Sequence, residues 1–379
     1  MLKVSVVVPA LNCADYIEEA IESLLAQTMA PDEIIVVDNG STDATLDRIK
    51  HFASKLIVSH EPKRGASAAR NTGVKLACNE LIAFLDSDDI STPTRLEKQV
   101  KTLERDNDAA MVFCDVEYCD EAGKPTGQVI TYPGYRRDAF LGQLFERNRI
   151  PSTSAAMVRR SAFELAGGFD ENYSFNEEYD LWLRIAAKNP VAYLPEPLVT
   201  YRIHCENISH QADEQRENEK KALLRHNTAE IRSALHSLYG NGAKADLALS
   251  TILFKMERFQ EGERLLEDIC ADNDDLALRN FYLGNFALKR GDIIGAGQHY
   301  ERSLEISPDL EVAQNNLGAI LLFMQDWNGA RKCFEKALSL KAGYQDPRHN
   351  ILILKSKSTR KPRFTFTTLR PVLKPHHSE

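Results

Sequence analysis

The loop that follows the first apolar run, Pro9-Ala10-Leu11-Asn12-Cys13, contains no glycine. A dinucleotide-binding fold needs a Gly-rich turn there so that backbone amides can approach a pyrophosphate, and its absence counts against a dehydrogenase and a sugar-phosphate nucleotidyltransferase alike. The seven cysteines are scattered without a C-x-x-C pair, which excludes a thiolate metal cluster and argues for reduced thiols in a cytoplasmic setting rather than a disulfide framework. Nowhere do about twenty apolar residues run together, and the run after Lys3 meets Pro9 too early for a signal peptide. The expectation is a protein without a membrane span, at most peripheral at the inner face of a membrane. The net charge of −8 offers no general basic surface. A Lys-, Arg- and Pro-rich tail over residues 356–379 is too short and isolated to argue for nucleic acid. It reads as a basic, flexible segment, with anionic lipid or an acidic partner as its alternative contact.

What is present begins with a buried run that ends in acid. Leu81-Ile82-Ala83-Phe84-Leu85 is followed by Asp86, Ser87, Asp88 and Asp89. A short, wholly apolar run reads as an interior strand of a parallel sheet, and ligands of open α/β sheets bind beyond the carboxyl ends of such strands. Asp86 and Asp88, two positions apart, have the spacing for two carboxylates to reach one hard cation and the phosphate oxygens of its ligand; the bland alternative is a polar strand-end turn. Residues 4–9 read as a first buried strand, 16–27 as an amphipathic helix, and 33–38 as a second strand ending on Asp38. Residues 39–43 form a turn, with Thr42 or Asp43 as the expected cap of the next helix. This alternation predicts an α/β fold with a doubly wound, mainly parallel sheet.

Four ordered segments resemble the family 2 glycosyltransferases of GT-A fold: residues 4–12, residues 36–43, Arg64-Gly65 with residues 69–73, and residues 84–89. Gly167-Gly168-Phe169-Asp170, residues 177–184 and Tyr201-Arg202-Ile203-His204 are similar to the acceptor-side and closing motifs. The resemblance covers roughly residues 1–210 and implies a metal-dependent, inverting transfer of a sugar from a nucleotide-diphosphate donor, UDP-type favoured, to a hydroxyl of a glycan, lipid-linked or protein acceptor of the cell-envelope kind. It implies that Pro9 and Ala10 line the nucleotide pocket, that Asp38 accepts a hydrogen bond from the base, and that Arg64 lies near the diphosphate. Asp86, with Ser87 beside it, and Asp88 would hold the ribose and a Mn²⁺ or Mg²⁺, with His204 a further metal ligand. Glu178 would be the base that deprotonates the acceptor, with Asp180 second in line. Two positions depart from the family pattern: Asn39 replaces a second acid, and Glu178 replaces an Asp. Glu177 and Glu178 also suit a helix N-terminus that Asn176 caps, and Trp182 falls at core spacing in that helix.

The remainder has a period of 34. Leu249, Leu283 and Leu317 recur at that step, followed by Ser250, Gly284 and Gly318, and further columns agree, among them Leu266, Tyr300 and Phe334. This is the tetratricopeptide signature, in which helix pairs stack to bury what one pair cannot. The expected layout is a catalytic domain over 1–210, a helical connector over 211–241, repeats over 242–355 with a capping helix from Asn350 to Lys355, and the tail. Every candidate catalytic residue precedes residue 210, so the array is expected to hold an acceptor or partner protein. Two alternatives stand beside an active transferase: a repeat scaffold carrying a catalytically degenerate transferase domain, and a glycoside hydrolase with paired carboxylates, which has no use for a diphosphate-binding metal.

Overall fold

The computed structural model describes residues 2–204, 212–269, 273–356 and 361–366, and the chain divides into two compact units, Met1–Asn227 and Thr228–Glu379. The first unit is built on one nine-stranded sheet: β1 (Val4–Ala10), β2 (Glu33–Asp38), β3 (Ile57–His60), β4 (Leu81–Phe84), β5 (Ile90–Ser91), β6 (Met111–Cys119), β7 (Pro125–Ile130), β8 (Ala156–Arg159) and β9 (Val191–Arg202). The spatial order is 3-2-1-4-8-6-9-5, with β7 paired to β6 outside this path.

Burial on both faces explains the valine-rich run of β1, in which Ser5 too is buried. Val4, Val6 and Val8 join a core with Ile17, Ala20, Ile21 and Leu24 of the helix Ile17–Leu25. Val7 points the other way, against the helix Ala66–Leu76. That helix lies so close that a Cβ on Gly73 would sit 2.3 Å from Val7 Cγ1. Strands with helices on both faces have no polar side to show.

Parallel pairing of β1 with β2 and β4, and of β2 with β3, brings their carboxyl ends to one edge, where Ala10 pairs with Asp38 and Asp38 with His60. Beyond β4 the sheet departs from the expected mainly parallel order. β8 runs antiparallel to both β4 and β6, so the sheet as a whole is mixed. The long strand β9 then runs parallel to β6 and antiparallel to the two-residue β5, with Thr200 opposite Ile90. This return path delivers Arg202 and His204 to the loop that carries the three acids.

Two expected caps differ in detail. Ala44, not Thr42 or Asp43, precedes the helix Thr45–Ile49, while Asp43 Oδ1 accepts the Thr45 amide at 3.0 Å from one position further back. Asn176 does precede the helix Glu177–Ala186, but in left-handed backbone with φ 57°, and its side chain donates to Gln215 O instead of capping.

The second unit begins with the helix Thr228–Tyr239; the helix Ala212–Leu223 belongs to the first. Three helix pairs follow: Ala243–Lys255 with Phe259–Glu267, Asn273–Lys289 with Ile293–Ile306, and Glu311–Phe323 with Trp327–Leu340. The closing helix Gln345–Ser356 starts five residues earlier than the sequence suggested. A Cβ on Gly284 would lie 2.5 Å from the Tyr300 ring, which is why this column needs small residues. Most of the basic tail lies outside the described residues. Residues 361–366 are described, and they differ from a free solvated tail, since Thr365 is buried against the array. Among the described residues no helix is long and apolar enough to cross a membrane.

Candidate functional site

The site forms where β1, β2 and β4 end. Ala10 is buried and Pro9 half-buried beside Asp38. Asp38 accepts the Gly40 amide at 3.2 Å and the Ser41 amide at 3.0 Å, and its Oδ2 lies 3.1 Å from His60 Nδ1. Burial alone would raise its pKa, but the Ser41 and Gly40 donors and His60 together hold it below the usual carboxylate value, keeping it an acceptor.

Asn39 has a specific task. Its buried amide nitrogen donates to Glu61 O and Lys63 O, both at 2.8 Å, while its oxygen accepts the Gly65 amide at 2.7 Å. A carboxylate cannot donate to two carbonyls, so an acid here would release the loop that carries Arg64. Arg64 is exposed, and its guanidinium passes close to Gly40.

Three carboxylates meet at the β4 end, each with a different partner. Asp86 receives Arg70 Nη2 at 2.7 Å, and its backbone amide donates to Ser154 Oγ. Asp88 Oδ2 lies 2.9 Å from His204 Nε2. Asp89 is buried and accepts Ser154 Oγ at 2.6 Å and the Arg202 amide at 3.2 Å. Ser87 is half-buried between them. Burial pushes the Asp89 carboxyl well up, and the charges of Asp88 and Asp86 push it further. Asp86 is raised for the same first reason, with Arg70 opposing and Asp88 adding. Among the described residues no three His, Cys, Asp or Glu side chains converge on one metal position, because Asp86 turns to Arg70 and Asp88 to His204.

The helix Glu177–Ala186 supplies the remaining acids. Tyr179, Leu181, Trp182, Leu183 and Ile185 are buried and fix it, making Trp182 a core residue. Glu177 accepts Arg70 Nη1 at 2.7 Å, so one buried guanidinium joins Asp86 to this helix. Glu178, next to it, accepts Asn148 Nδ2 at 3.3 Å. Its carboxyl is raised to about 8, first by burial and then by the Glu177 charge. Asp180 lies elsewhere in the packing. Buried, it receives Tyr173 Oη at 3.2 Å, Arg225 Nε at 2.9 Å, and Arg184 through Nε at 3.0 Å and Nη2 at 2.6 Å. All its acceptor positions are taken, which sets it apart from Glu178.

The structure therefore pairs Asp88 with His204 but turns Asp86 to Arg70, and it sets Pro9, Ala10, Asp38 and Arg64 around adjacent strand ends and Glu178 on the helix that Arg70 ties to Asp86. Sequence reasoning had included Arg70, Asp89 and Arg202 in motifs without giving them a role, and had passed over Ser154. The signal for Arg70 was its place in the segment 69–73, among small residues of the helix Ala66–Leu76.

The sheet and this constellation define the class: a glycosyltransferase domain of GT-A architecture, joined to a helical repeat array. The chain belongs to glycosyl transferase family 2, whose pattern matches residues 5–166, and a tetratricopeptide repeat pattern matches residues 312–342. Over 236 residues it is 30% identical to an uncharacterized glycosyltransferase of Haemophilus influenzae, a stretch that covers 59% of this chain and 72% of that protein. Over 203 residues it is 30% identical to an uncharacterized glycosyltransferase of Rickettsia typhi, covering 53% of this chain and 64% of that one, so the chain spans less than two thirds of that relative. Among solved structures, S. aureus TarS in complex with UDP superposes with a TM-score of 0.49 at 17% identity, covering 86% of this chain and 92% of that chain.

Proposed function

We propose that the first unit transfers a sugar from a nucleotide-diphosphate donor, UDP-type favoured, to an acceptor hydroxyl with inversion, and that the reaction depends on Mn²⁺ or Mg²⁺. The observation that carries this reading is the Arg70 bridge, with Asp86 and Glu177 each 2.7 Å from one guanidinium. It couples the acids of the donor edge to the helix bearing Glu178, the two parts that a direct displacement needs in fixed register.

Asp38 accepts from the base and Arg64 lies at the diphosphate, with Asn39 holding its loop. Asp88 and His204 would hold the ion, joined by Asp86 once its carboxylate turns from Arg70, since as they stand the described side chains do not converge on one metal position. When bound, the ion supplies charge stabilisation for the departing nucleoside diphosphate. To hold it, Asp88 and His204 would give up their mutual hydrogen bond. Glu178 removes the acceptor proton as the hydroxyl attacks the anomeric carbon opposite the diphosphate. A base whose carboxyl ionises near neutrality has the driving force for that step. Asp180, surrounded by arginines, positions its helix. The repeat array holds the acceptor, whether glycan, lipid-linked or protein, or a protein partner.

A thermal-shift panel of UDP- and GDP-sugars, each with and without Mn²⁺, tests this. The expected result is stabilisation by one nucleotide class that requires the ion. No stabilisation by any member, with the protein folded, would contradict the reading.

A further inference from the structure

Four buried asparagines line one face of the repeat array. Asn285, Asn315, Asn316 and Asn350 lie on the first helices of successive repeats and on the closing helix, each no more than 1% exposed. Asn316 and Asn350 are one repeat step of 34 apart. Unpartnered, such amides would make a poor core, since a buried polar group without a hydrogen bond is costly. They are instead occupied by a peptide, the chain's own residues 363–366.

The contacts read an extended backbone. Asn350 accepts the Arg363 amide at 2.7 Å and donates to the Arg363 carbonyl at 2.9 Å. Asn316 repeats the clamp two residues on, accepting the Thr365 amide and donating to its carbonyl, both at 2.8 Å. Asn285 donates to Phe366 O at 3.2 Å, and Asn315 to Arg363 O at 3.2 Å. Alternate residues of a strand present their amide and carbonyl to the same side, so this spacing selects an extended chain of almost any sequence. Side-chain selection is added locally. The Thr365 hydroxyl donates to Asp346 at 2.6 Å and touches Tyr344 Oη; Phe366 stacks on Phe254 at 5.4 Å between centroids with Lys289 over its ring; Phe364 packs among Leu322, Phe334 and Leu354 and their neighbours.

We infer that the asparagine-lined face of the array is a peptide-binding site, that residues 363–366 are its tethered ligand, and that the partner it fits is a protein segment in extended conformation with an aromatic–hydroxyl–aromatic pattern. Backbone clamps at two positions are the apparatus of recognition, because a segment serving only to seal a groove needs no more than the apolar contacts that Phe364 and Phe366 make. The tethered copy keeps the site closed until a partner competes. This deepens the partner-holding role given to the array above, and its test involves no sugar chemistry.

The probe is a fluorescein-labelled peptide of residues 361–366, titrated by polarisation into full-length protein and into its Thr365→Glu variant. A glutamate at 365 faces Asp346 and expels the tethered segment without altering the array. The variant is expected to bind the probe about tenfold or more tightly than the parent chain, which must first release a ligand held at high effective concentration. Adding Asn316→Ala and Asn350→Ala abolishes binding, and a probe with both phenylalanines replaced by alanine does not bind. If Thr365→Glu lowers the melting temperature, saturating probe restores it. A Thr365→Glu protein that neither binds the probe nor regains its melting temperature would make the segment a structural seal and overturn the inference. A parent chain that is dimeric, with Thr365→Glu monomeric, would instead place a second copy's tail in the groove and overturn the assignment to a separate partner.

Discussion

His204 Nε2 lies 2.9 Å from Asp88 Oδ2 although 116 positions separate them in the chain. The contact exists because β9 folds back beside β5, directly after the acidic loop, with Thr200 opposite Ile90. If the pair serves the metal, His204→Ala lowers UDP affinity roughly tenfold or more in Mn²⁺ and leaves it nearly unchanged in chelator. Equal losses in both conditions would restrict His204 to holding the loop.

Glu178 gives the sharpest test of chemistry. Glu178→Gln keeps shape and removes proton acceptance, so UDP affinity stays near that of the parent while turnover falls by about a hundredfold or more. Because the carboxyl is raised to about 8, by burial first and then by Glu177, kcat/KM climbs as pH rises through about 8, and the variant loses that limb. The sign for stability is opposite. The unfolded carboxyl ionises near 4.5 and the folded one near 8, so the protonated form favours the fold and stability from this group declines across that window as pH rises. A fully active Glu178→Gln with a dead Asp180→Asn would move the base to Asp180.

Arg70 is 5% exposed and neutralises two carboxylates. Arg70→Met leaves Asp86 and Glu177 without their cation, and the expected loss in denaturant unfolding is about 3–5 kcal/mol. A loss under about 1 kcal/mol would mean the bridge does not form in solution.

Asn39→Asp is expected to destabilise by about 1–3 kcal/mol, since two carbonyls lose their donor and face a charge. Loosening the loop of Arg64 raises the donor KM more than it lowers kcat. Unchanged KM would detach this loop from donor binding.

The parallel half of the sheet and the positions of its acids were legible because interior strands and strand-end carboxylates are written in short contiguous runs. The mixed half was less so. β8 is four residues long and its antiparallel course depends on a partner more than seventy residues away, for which no local pattern exists. Arg70 stood in a recognisable segment, but its role depends on Asp86 and Glu177, 16 and 107 positions away, which share its guanidinium. Asn39 read as a departure from an acidic motif, and only the carbonyls of Glu61 and Lys63 explain the amide. The repeats announced themselves by their period, whereas the peptide lying on Asn316 and Asn350 did not, because these asparagines hold its backbone and a backbone carries no sequence signal.

Calorimetric titration of UDP into the full-length protein, first with Mn²⁺ and then with chelator, decides whether the donor site works through a divalent ion. Affinity is expected to be at least about tenfold higher with the ion, a difference that Asp88→Ala erases. Equal affinity in both conditions, or an Asp88→Ala protein that binds and turns over like the parent, would contradict that dependence on the ion.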